Sequence, residues 1–275
     1  MTSVAVVTGG ASGLGLALAQ ALAARGRSVV VLDRSKDVER VAGELAVTGP
    51  ATATGIEVDV RDRAGIDEAL ARVRLEHGRL DLLVNNAAVM RPGDALDLTM
   101  QDWDEVIDVN LRGAVNTIAA GYPVMVEQGH GQILNVSSVV GLLPGPLNVP
   151  YAMSKHALVG LSLSLRAEAE TYGVKVSVAC PSAVQTALLQ TRGAPGSRAD
   201  VSPMPALWKR RAAWALIGLP GRAATPEHTA EQILAGLERD VAVIPTGHAR
   251  VAWRIARANP AITQWGARLQ ARTLR

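Results

Sequence analysis

Several residue types are scarce in this chain, and each scarcity narrows what the protein can be. Phenylalanine is absent, aromatic residues make up 3% of the chain, and there is one cysteine among 275 residues. A single cysteine cannot form an intramolecular disulfide, so nothing in the sequence demands an oxidising compartment. We expect Cys180 to be an inert core thiol at the end of a strand.

Long apolar runs and metal-ligand spacings are also lacking. No hydrophobic stretch approaches the roughly 20 residues that a membrane-spanning helix needs. The start, MTSVAVVTGG, lacks the charged and apolar regions of a secretory signal, so we expect a cytoplasmic protein. The histidines do not sit in metal-ligand spacing with one another or with acids, which predicts no metal site; they include His130, His156, His228 and His248.

The net charge of +3 conceals an uneven distribution. From Thr246 onward there are six arginines and no acidic residue, so the rest of the chain carries −3 and gives no basis for binding nucleic acid. We predict a basic amphipathic helical extension over residues 246–275. The favoured interpretation is a helix pair that packs on its own subunit or a neighbour. Peripheral contact with an anionic membrane, or capture of a fatty substrate, is the less favoured alternative.

Short β-branched runs alternate along the chain with segments that carry apolar residues at helical spacing. This alternation is typical of βαβ units around a parallel sheet, and 48% hydrophobic residues over this length can bury one large core. We predict one doubly wound α/β domain over residues 1–245, with a parallel sheet of about seven strands and helices on both faces. The strands are expected near 4–8, 29–33, 52–58, 80–84, 132–136, 175–179 and 241–244, and the helices near 13–25, 38–46, 61–76, 99–121, 151–172 and 226–239.

A glycine-rich turn, TGGASGLG at residues 8–15, follows the first predicted strand. Its glycines would let the backbone approach a pyrophosphate, and the amide groups of the next helix would point at that charge. Asp33 ends the second strand, where a carboxylate can bind the adenine-ribose diol and repel a 2′-phosphate. NAD is therefore favoured over NADP, although the guanidinium of Arg34 could accommodate a phosphate.

A tyrosine and a lysine stand four residues apart in the run YAMSK. Four residues is about one helical turn, so the Tyr151 phenol and the Lys155 ammonium are predicted to share a helix face. A cation near a phenol favours the phenolate, which would lower the Tyr151 pKa from about 10 and suit it to proton transfer. Ser138 precedes the tyrosine by thirteen residues.

These patterns form an ordered set. TGGASGLG is followed by Asp59-Val60, NNAA at 85–88, Asn110, Ser138, Tyr151 with Lys155, and PSAVQT at 181–186. On these residues the chain resembles the classical short-chain dehydrogenase/reductase family over about residues 4–245. The resemblance implies a Rossmann-type fold, a nicotinamide cofactor, and a homodimer or homotetramer built on the long helices that begin near Thr99 and Tyr151.

The resemblance also implies roles for individual residues. Tyr151 would be the general acid/base, and Ser138 would hydrogen-bond the substrate oxygen. Asn110 would anchor a water that links Lys155 to solvent, and Lys155 would also bind the nicotinamide-ribose hydroxyls. The other expected cofactor contacts are Gly9, Ser12, Gly13, Leu14 and Gly15 in the turn, Asp33 and Arg34 after the second strand, Asp59 and Val60 around the adenine, Asn86, Ala87 and Ala88 beside the adenosine, and Pro181, Val184 and Thr186 near the carboxamide.

Two positions depart from the family pattern. The family usually has NNAG and PGxVxT, where this chain has Ala88 and Ser182 in place of the glycines. Alanine and serine disfavour the positive φ angle that glycine adopts freely. These two positions therefore need not keep the backbone geometry of the family.

Apolar residues follow the predicted strands where a substrate would enter, which predicts a hydrophobic pocket. The irregular segment 187–225 interrupts the alternation of strands and helices, and we predict that it forms a substrate lid. The expected substrate contacts are Met90, Val140, Leu147, Leu188, Leu189, Trp208 and Trp214, with Val89, Leu142 and Leu143 near the mouth.

These features predict reversible hydride transfer between NAD(H) and a hydrophobic, bulky secondary alcohol or ketone. One alternative is an NADPH-preferring biosynthetic ketoreductase. Another, from a different class, is a regulator that binds a dinucleotide without turnover. A carbon–carbon double-bond reductase is a weaker alternative, since relatives of that kind usually place the lysine further from the tyrosine.

Overall fold

Seven parallel strands form one sheet in the part of the chain that the structure describes, with helices on both faces. The computed structural model describes residues 2–45, 50–191 and 223–273. The strand order is β3-β2-β1-β4-β5-β6-β7, and every neighbouring pair is parallel, which confirms the predicted doubly wound α/β fold. The strands are β1 (Val4–Thr8), β2 (Ser28–Asp33), β3 (Ala53–Glu57), β4 (Leu82–Asn85), β5 (Gly131–Val136), β6 (Val174–Cys180) and β7 (Val243–Pro245).

The helices follow the strands in the predicted order, and short 3₁₀ turns lie at Val139–Gly141, Glu170–Tyr172 and Ala187–Gln190. The α-helices are α1 (Gly13–Ala24), α2 (Val38–Gly43), α3 (Arg63–His77), α4 (Met100–Ile107), α5 (Gly113–Gln128), α6 (Val149–Ala169), α7 (Pro226–Glu238), α8 (Ala249–Ala258) and α9 (Pro260–Thr273).

The single helix predicted over 99–121 is in fact two α-helices joined by a π-helical turn. Thr99 and Asp102 cap the start of α4 reciprocally, as a capping box. The π turn covers Asp108–Arg112, and α5 then runs on to Gln128. A π turn is wider than an α turn and is often found at functional sites. Here it carries Asn110.

The first strand shows how the sheet is buried on both faces. Ala5 and Val7 join an apolar core with residues of α1 and α7, while Val4 and Val6 join a second core with residues of α3 and α5. Successive side chains of a strand point to opposite faces, so the continuous apolar run of β1 supplies both layers.

The strand order reverses direction between β1 and β4, because β2 and β3 lie on one side of β1 and β4 to β7 on the other. In open α/β sheets, ligands bind outside the carboxyl ends of the strands at such a reversal. The glycine turn follows β1, residues 86–88 follow β4, and Ser138 follows β5. All three therefore lie at the same edge of the sheet.

The C-terminal helices extend beyond β7. Ala249 and Ala252 of α8 are buried, and Arg250 Nε donates to the Pro245 carbonyl oxygen at 3.0 Å. In α9, Ile262 and Trp265 are about half exposed. None of the helices within residues 2–45, 50–191 and 223–273 has the length and apolar character needed to cross a bilayer.

Candidate active site

The turn between β1 and α1 is compact enough that only glycine fits at several positions. Gly9 and Gly13 have φ angles of +62° and +54°, in the left-handed region. A Cβ atom on Gly15 would lie 2.1 Å from the Gly9 carbonyl oxygen. The exposed Ser12 begins α1 with extended backbone, and its side chain makes no capping hydrogen bond. This cradle, with the first amide groups of a 12-residue helix, fits a diphosphate.

Asp33 lies at the end of β2 and is joined to the glycine turn. Its Oδ2 accepts from Ala11 N at 3.0 Å, and its Oδ1 accepts from Ser35 N at 3.0 Å. Each carboxylate oxygen has a further lone pair, so both can still accept a hydroxyl. The neighbouring Arg34 is exposed. The structure thus places a carboxylate and a guanidinium side by side beyond the strand.

The loop after β4 is bonded to the same turn. Asn86 Nδ2 donates to the carbonyl oxygens of Thr8 and Gly9, at 3.1 Å each. The Thr8 hydroxyl accepts from the backbone N–H groups of Asn86 and Ala87, at 3.0 and 3.2 Å. The side chain of Asn86 therefore braces the turn, and the Ala87 backbone lies against Gly9, where an added Cβ atom would be 2.8 Å from Ala87 Cα. Ala88 follows directly in the chain.

Asp59 and Val60 lie after β3 on the same edge of the sheet. Arg61 binds the Asp59 carboxylate through Nε and Nη2, and this hydrogen bonding lowers the pKa of Asp59. Val60 is buried, its carbonyl oxygen accepts from Asn116 Nδ2 at 2.9 Å, and it packs against Gly113 of α5. Asp59 is thus held as an ionised carboxylate.

Three of the predicted catalytic residues lie together. Ser138, two residues after the end of β5, lies close enough to the Tyr151 side chain for its hydroxyl to lower the pKa of the phenol. Lys155 Nζ lies 5.5 Å from the centroid of the Tyr151 ring and donates to the Val136 carbonyl oxygen at 2.9 Å. Tyr151 and Lys155 both belong to α6 and are buried. The helical spacing that the sequence shows therefore places the phenol and the ammonium on one face.

The pKa of Tyr151 is not lowered as the sequence analysis expected. Burial raises the pKa of Tyr151 to about 12, against a smaller lowering by the Ser138 hydrogen bond. Burial also lowers the pKa of Lys155 to about 7, opposed by the nearby Cys180. Loss of solvent disfavours both charged forms. The lysine is therefore only partly charged near neutral pH and is a weak source of positive potential for the phenol.

Asn110 is fixed by the loop after β4 and by α6. Its Oδ1 accepts from Val89 N at 2.7 Å, and its Nδ2 donates to the Val89 carbonyl oxygen at 2.9 Å and to Ser154 Oγ at 3.0 Å. The Ser154 hydroxyl in turn donates to the Tyr151 carbonyl oxygen at 2.8 Å. Ser154 therefore links the Asn110 side chain to the backbone of Tyr151 by two hydrogen bonds.

Ala88 and Ser182, which stand where the family usually has glycine, do not adopt the positive φ angles that favour glycine. Among the described residues other than glycine, only Leu147 and Asp240 have positive φ angles. Ala88 and Ser182 therefore avoid the left-handed region. A Cβ atom on Gly247 would lie 2.7 Å from Ser182 Oγ, so the serine hydroxyl packs closely against that glycine.

The segment after β6 returns to the glycine turn. The Pro181 carbonyl oxygen accepts from Val139 N at 2.8 Å, next to Ser138. Val184 is buried and bridges Ala224. The Thr186 side chain lies against Gly13, since a Cβ atom there would be 3.1 Å from Thr186 Cγ2. The PSAVQT run thus spans from the Ser138 end of the crevice to the cradle.

The apolar residues predicted to contact a substrate are only partly described. Met90 and Leu147 are buried, whereas Val140, Leu188 and Leu189 are half-buried. Leu147 has a φ angle of +58°, which is strained for a branched side chain. Trp208 and Trp214, with most of the predicted lid, lie outside the described residues.

Sequence reasoning missed the residues that hold α6 in place. Ser137 Oγ donates to the Lys155 carbonyl oxygen at 2.7 Å, and Gly141 leaves no room for a Cβ atom beside both groups. Ser154 was passed over as well. The sequence pointed to these two serines only through their neighbours, because Ser137 directly precedes Ser138 and Ser154 directly precedes Lys155. In the described ranges, no cluster of three or more His, Cys, Asp or Glu side chains could hold a metal ion.

Comparison with known proteins shows the family to which this chain belongs. The short chain dehydrogenase family matches residues 3–195. Oxidoreductase UcpA of Salmonella typhimurium is 38% identical over 188 residues, which are 68% of this chain and 71% of that protein. The chain therefore belongs to the short-chain dehydrogenase family, and it is an NAD(P)-dependent oxidoreductase of that family.

Two solved structures show the same fold with different cofactors. A short chain dehydrogenase/reductase from Burkholderia phymatum in complex with NAD has a TM-score of 0.80 at 27% identity, covering 95% of each chain. A putative NAD(P) dependent gluconate 5-dehydrogenase from Beutenbergia cavernae with bound NADP has a TM-score of 0.77 at 30% identity, covering 91% of this chain and 97% of that one. These neighbours leave open which of the two cofactors this chain prefers.

Proposed function

We propose that this enzyme transfers hydride reversibly between NAD(H) and a hydrophobic, bulky secondary alcohol or ketone, with Tyr151 as the general acid/base. The observation that carries the proposal is the cluster of the buried Tyr151 and Lys155 with the half-buried Ser138, at the carboxyl edge of the sheet. A phenol, a hydroxyl and a lysine beside a dinucleotide cradle suit proton transfer to or from an oxygen.

The chain's own residues would hold the substrate oxygen and move its proton. Ser138 orients the oxygen by a hydrogen bond, and Tyr151 exchanges the proton with it. A bound nicotinamide would supply or accept the hydride at the substrate carbon. In the oxidative direction the hydroxyl proton would pass to the deprotonated oxygen of Tyr151, and the hydride would leave carbon for the bound nicotinamide, so the alcohol becomes a ketone. Catalysis then depends on orientation and proton transfer, without a covalent intermediate.

Burial sets the protonation states of Tyr151 and Lys155 in the free protein near neutral pH. With a pKa of about 12, Tyr151 holds its proton and is ready to donate it to a ketone oxygen. Lys155, with a pKa of about 7, is close to half protonated there and can change its charge at little cost. Asn110 would anchor a water that links Lys155 to solvent, and its side chain is held by hydrogen bonds to the backbone of Val89.

We propose NAD as the cofactor. Gly9, Ser12, Gly13, Leu14 and Gly15 would hold the diphosphate. One oxygen of Asp33 accepts from Ala11 N in the cradle and the other from Ser35 N, so a 2′-phosphate beside this carboxylate would meet a negative charge. The further cofactor contacts would come from Asp59, Val60, Asn86, Ala87, Ala88, Pro181, Val184 and Thr186, with Tyr151 and Lys155 at the nicotinamide ribose.

An NADP-dependent ketoreductase is the second candidate. The exposed Arg34 supports it, because a guanidinium next to the ribose site can pair with a phosphate. The neighbour from Beutenbergia cavernae, which has bound NADP, is similar to this chain at 30% identity. The two candidates differ in cofactor choice and share the same chemistry at Tyr151.

We propose an apolar substrate pocket from Met90, Val140, Leu147, Leu188 and Leu189, with Trp208 and Trp214 as further contacts in a lid over 187–225. The described members of this set are buried or half-buried apolar side chains at the carboxyl edge of the sheet. Such a lining favours a bulky hydrophobic alcohol over a sugar.

We also propose a cytoplasmic homodimer or homotetramer that pairs through α5 and α6. Val115 on α5, and Met153 and Leu163 on α6, are large apolar residues that are 40–43% exposed. Pairing of these helices would cover them.

Turnover is tested by following NADH absorbance with 1-phenylethanol and, in reverse, with acetophenone. We expect turnover with both, and a higher kcat/KM than with 2-propanol or gluconate. A dinucleotide-binding regulator would instead bind NADH, detectable by calorimetry, and show no turnover across the panel. That result would contradict the proposed function.

A further inference from the structure

Ser154 is a buried hydroxyl that no step of the proposed chemistry uses. It lies on α6 between Tyr151 and Lys155, and it is inaccessible to solvent. Its Oγ donates to the Tyr151 carbonyl oxygen at 2.8 Å and accepts from Asn110 Nδ2 at 3.0 Å. One side chain therefore touches the backbone of one predicted catalytic residue and the side chain of another.

The hydrogen bonds around Asn110 form a continuous chain. The asparagine uses Oδ1 and one Nδ2 proton on the backbone of Val89, which leaves its second Nδ2 proton for Ser154. The Ser154 hydroxyl donates its single proton to the Tyr151 carbonyl oxygen. Each donor in this path thus has one acceptor, and the path runs from the loop after β4 into the first turn of α6.

We propose that Ser154 is a positioning residue, which sets the place of the Tyr151 phenol by linking Asn110 to the backbone of α6. This inference rests on the proposed role of Tyr151. The first turn of a helix has few internal hydrogen bonds and is prone to fray, so an added bond to the Tyr151 carbonyl oxygen restrains it. Positions of reacting groups must hold to a fraction of an ångström for full rate.

The same helix contains a near-identical serine without this connection. Ser162 Oγ donates to the Leu158 carbonyl oxygen at 2.6 Å and accepts from Asn135 Nδ2 at 2.9 Å. Ser162 is as buried as Ser154 and also bonds a backbone oxygen of its own helix and a buried asparagine. Leu158 and Asn135 have no place in the proposed chemistry. Ser162→Ala is therefore a matched control for the general cost of losing a buried hydroxyl.

The effect on structure is measured first, without cofactor or substrate. The chain has three tyrosines, and replacing Tyr122 and Tyr172 by phenylalanine leaves tyrosinate absorbance to report on Tyr151 alone. We expect Ser154→Ala to move that titration toward the ordinary value near 10, because a loosened phenol gains water. Ser162→Ala should leave the titration unchanged, while both variants lower the unfolding midpoint to a similar degree.

The effect on rate is measured with NAD and 1-phenylethanol. We expect Ser154→Ala to lower kcat by about 10- to 100-fold with KM for NAD changed less than about twofold, and Ser154→Thr to recover part of the rate. Ser162→Ala should keep kcat within about twofold of the wild type. Equal kcat and equal titrations in the two alanine variants would overturn the positioning role.

A parallel variant separates this inference from the proposed function. If Tyr151→Phe keeps turnover, the role of Tyr151 is wrong and the positioning role falls with it. If Tyr151→Phe is inactive while Ser154→Ala behaves like Ser162→Ala, only the positioning role fails. If 1-phenylethanol is not turned over at all, the tyrosinate titration alone decides whether Ser154 holds the phenol in place.

Discussion

Polar side chains are buried and hydrogen-bonded around Tyr151, whereas the arginines of the C-terminal helices are exposed to solvent. Lys155, Asn110 and Ser154 are at most 2% exposed, and each makes a hydrogen bond of defined length. The arginines of α8 and α9 lie on the surface, and Trp265 of α9 is half exposed. They are Arg250, Arg254, Arg257, Arg268 and Arg272.

This difference in burial predicts a difference in sensitivity. A buried polar group that loses its partner costs about 1–3 kcal/mol, whereas exposed charges contribute little one by one. Single substitutions around Tyr151 should therefore have large effects, while the tail should respond only to removal of a whole element.

Replacing Tyr151 by phenylalanine should abolish nearly all turnover. The ring would pack as before, but the hydroxyl that exchanges the proton is gone, so kcat should fall by about 10²- to 10⁴-fold. NAD affinity, measured by calorimetry, should change little. The control is Tyr172→Phe, because Tyr172 is 53% exposed. A Tyr151→Phe enzyme with near-normal kcat would place the proton transfer elsewhere.

Replacing Lys155 by methionine should lower rate and cofactor affinity, and it should also change how stability depends on pH. The lysine binds a proton up to its ordinary pKa of 10.5 when unfolded, but only below about 7 when folded. Between these values the unfolded chain holds more protons, so wild-type stability should rise with pH. The penalty for burying the cation is complete below about pH 7.

Chemical denaturation at pH 7 and pH 9.5 measures this effect. The free energy of unfolding of the wild type should gain on the order of 2 kcal/mol relative to Lys155→Met over that interval. Tyr151 acts in the opposite sense, but only above its ordinary pKa of 10. Lys175→Met is the exposed control. Parallel curves for wild type and Lys155→Met would show that burial does not depress the lysine pKa.

Replacing Asp33 by serine should shift cofactor preference toward NADP. The substitution removes a negative charge that repels a 2′-phosphate and keeps Arg34 as its partner. We expect a change of at least about tenfold in the ratio of kcat/KM for the two cofactors, or about 1.4 kcal/mol. The exposed Asp37→Ser is the control. A wild-type enzyme that already prefers NADPH by more than about tenfold would contradict this role for Asp33.

The sequence predicted the sheet well because its signals are local. Buried parallel strands appear as continuous apolar runs, and VAVVT of β1 agrees residue for residue with the structure. The π turn at Asp108–Arg112 escaped prediction, because apolar spacing does not distinguish a π turn from the α-helices on either side.

At the candidate site, motif spacing predicted which residues meet and failed on their electrostatics. Tyr151 and Lys155 share a helix face as four-residue spacing requires. The direction of the Tyr151 pKa shift was wrong, because it depends on how much solvent both groups lose. Ser154 and Ser137 were missed since their roles depend on contacts with the distant residues Asn110 and Lys155.

Deleting residues 260–275 should have the smallest effect on chemistry. The cut removes α9 and leaves α8, which is fixed through the buried Ala249 and Ala252. We expect kcat with 1-phenylethanol to stay within about twofold, because the deleted helix carries no group of the proposed site.

If the tail packs on its own or a neighbouring subunit, the unfolding midpoint or the oligomer size by light scattering should fall, and the full-length protein should not sediment with anionic vesicles. Sedimentation with phosphatidylglycerol vesicles but not with phosphatidylcholine vesicles would favour the lipid alternative instead. A truncated enzyme with unchanged stability, oligomer size, vesicle binding and affinity for its bulkiest substrate would leave the tail without any of these roles.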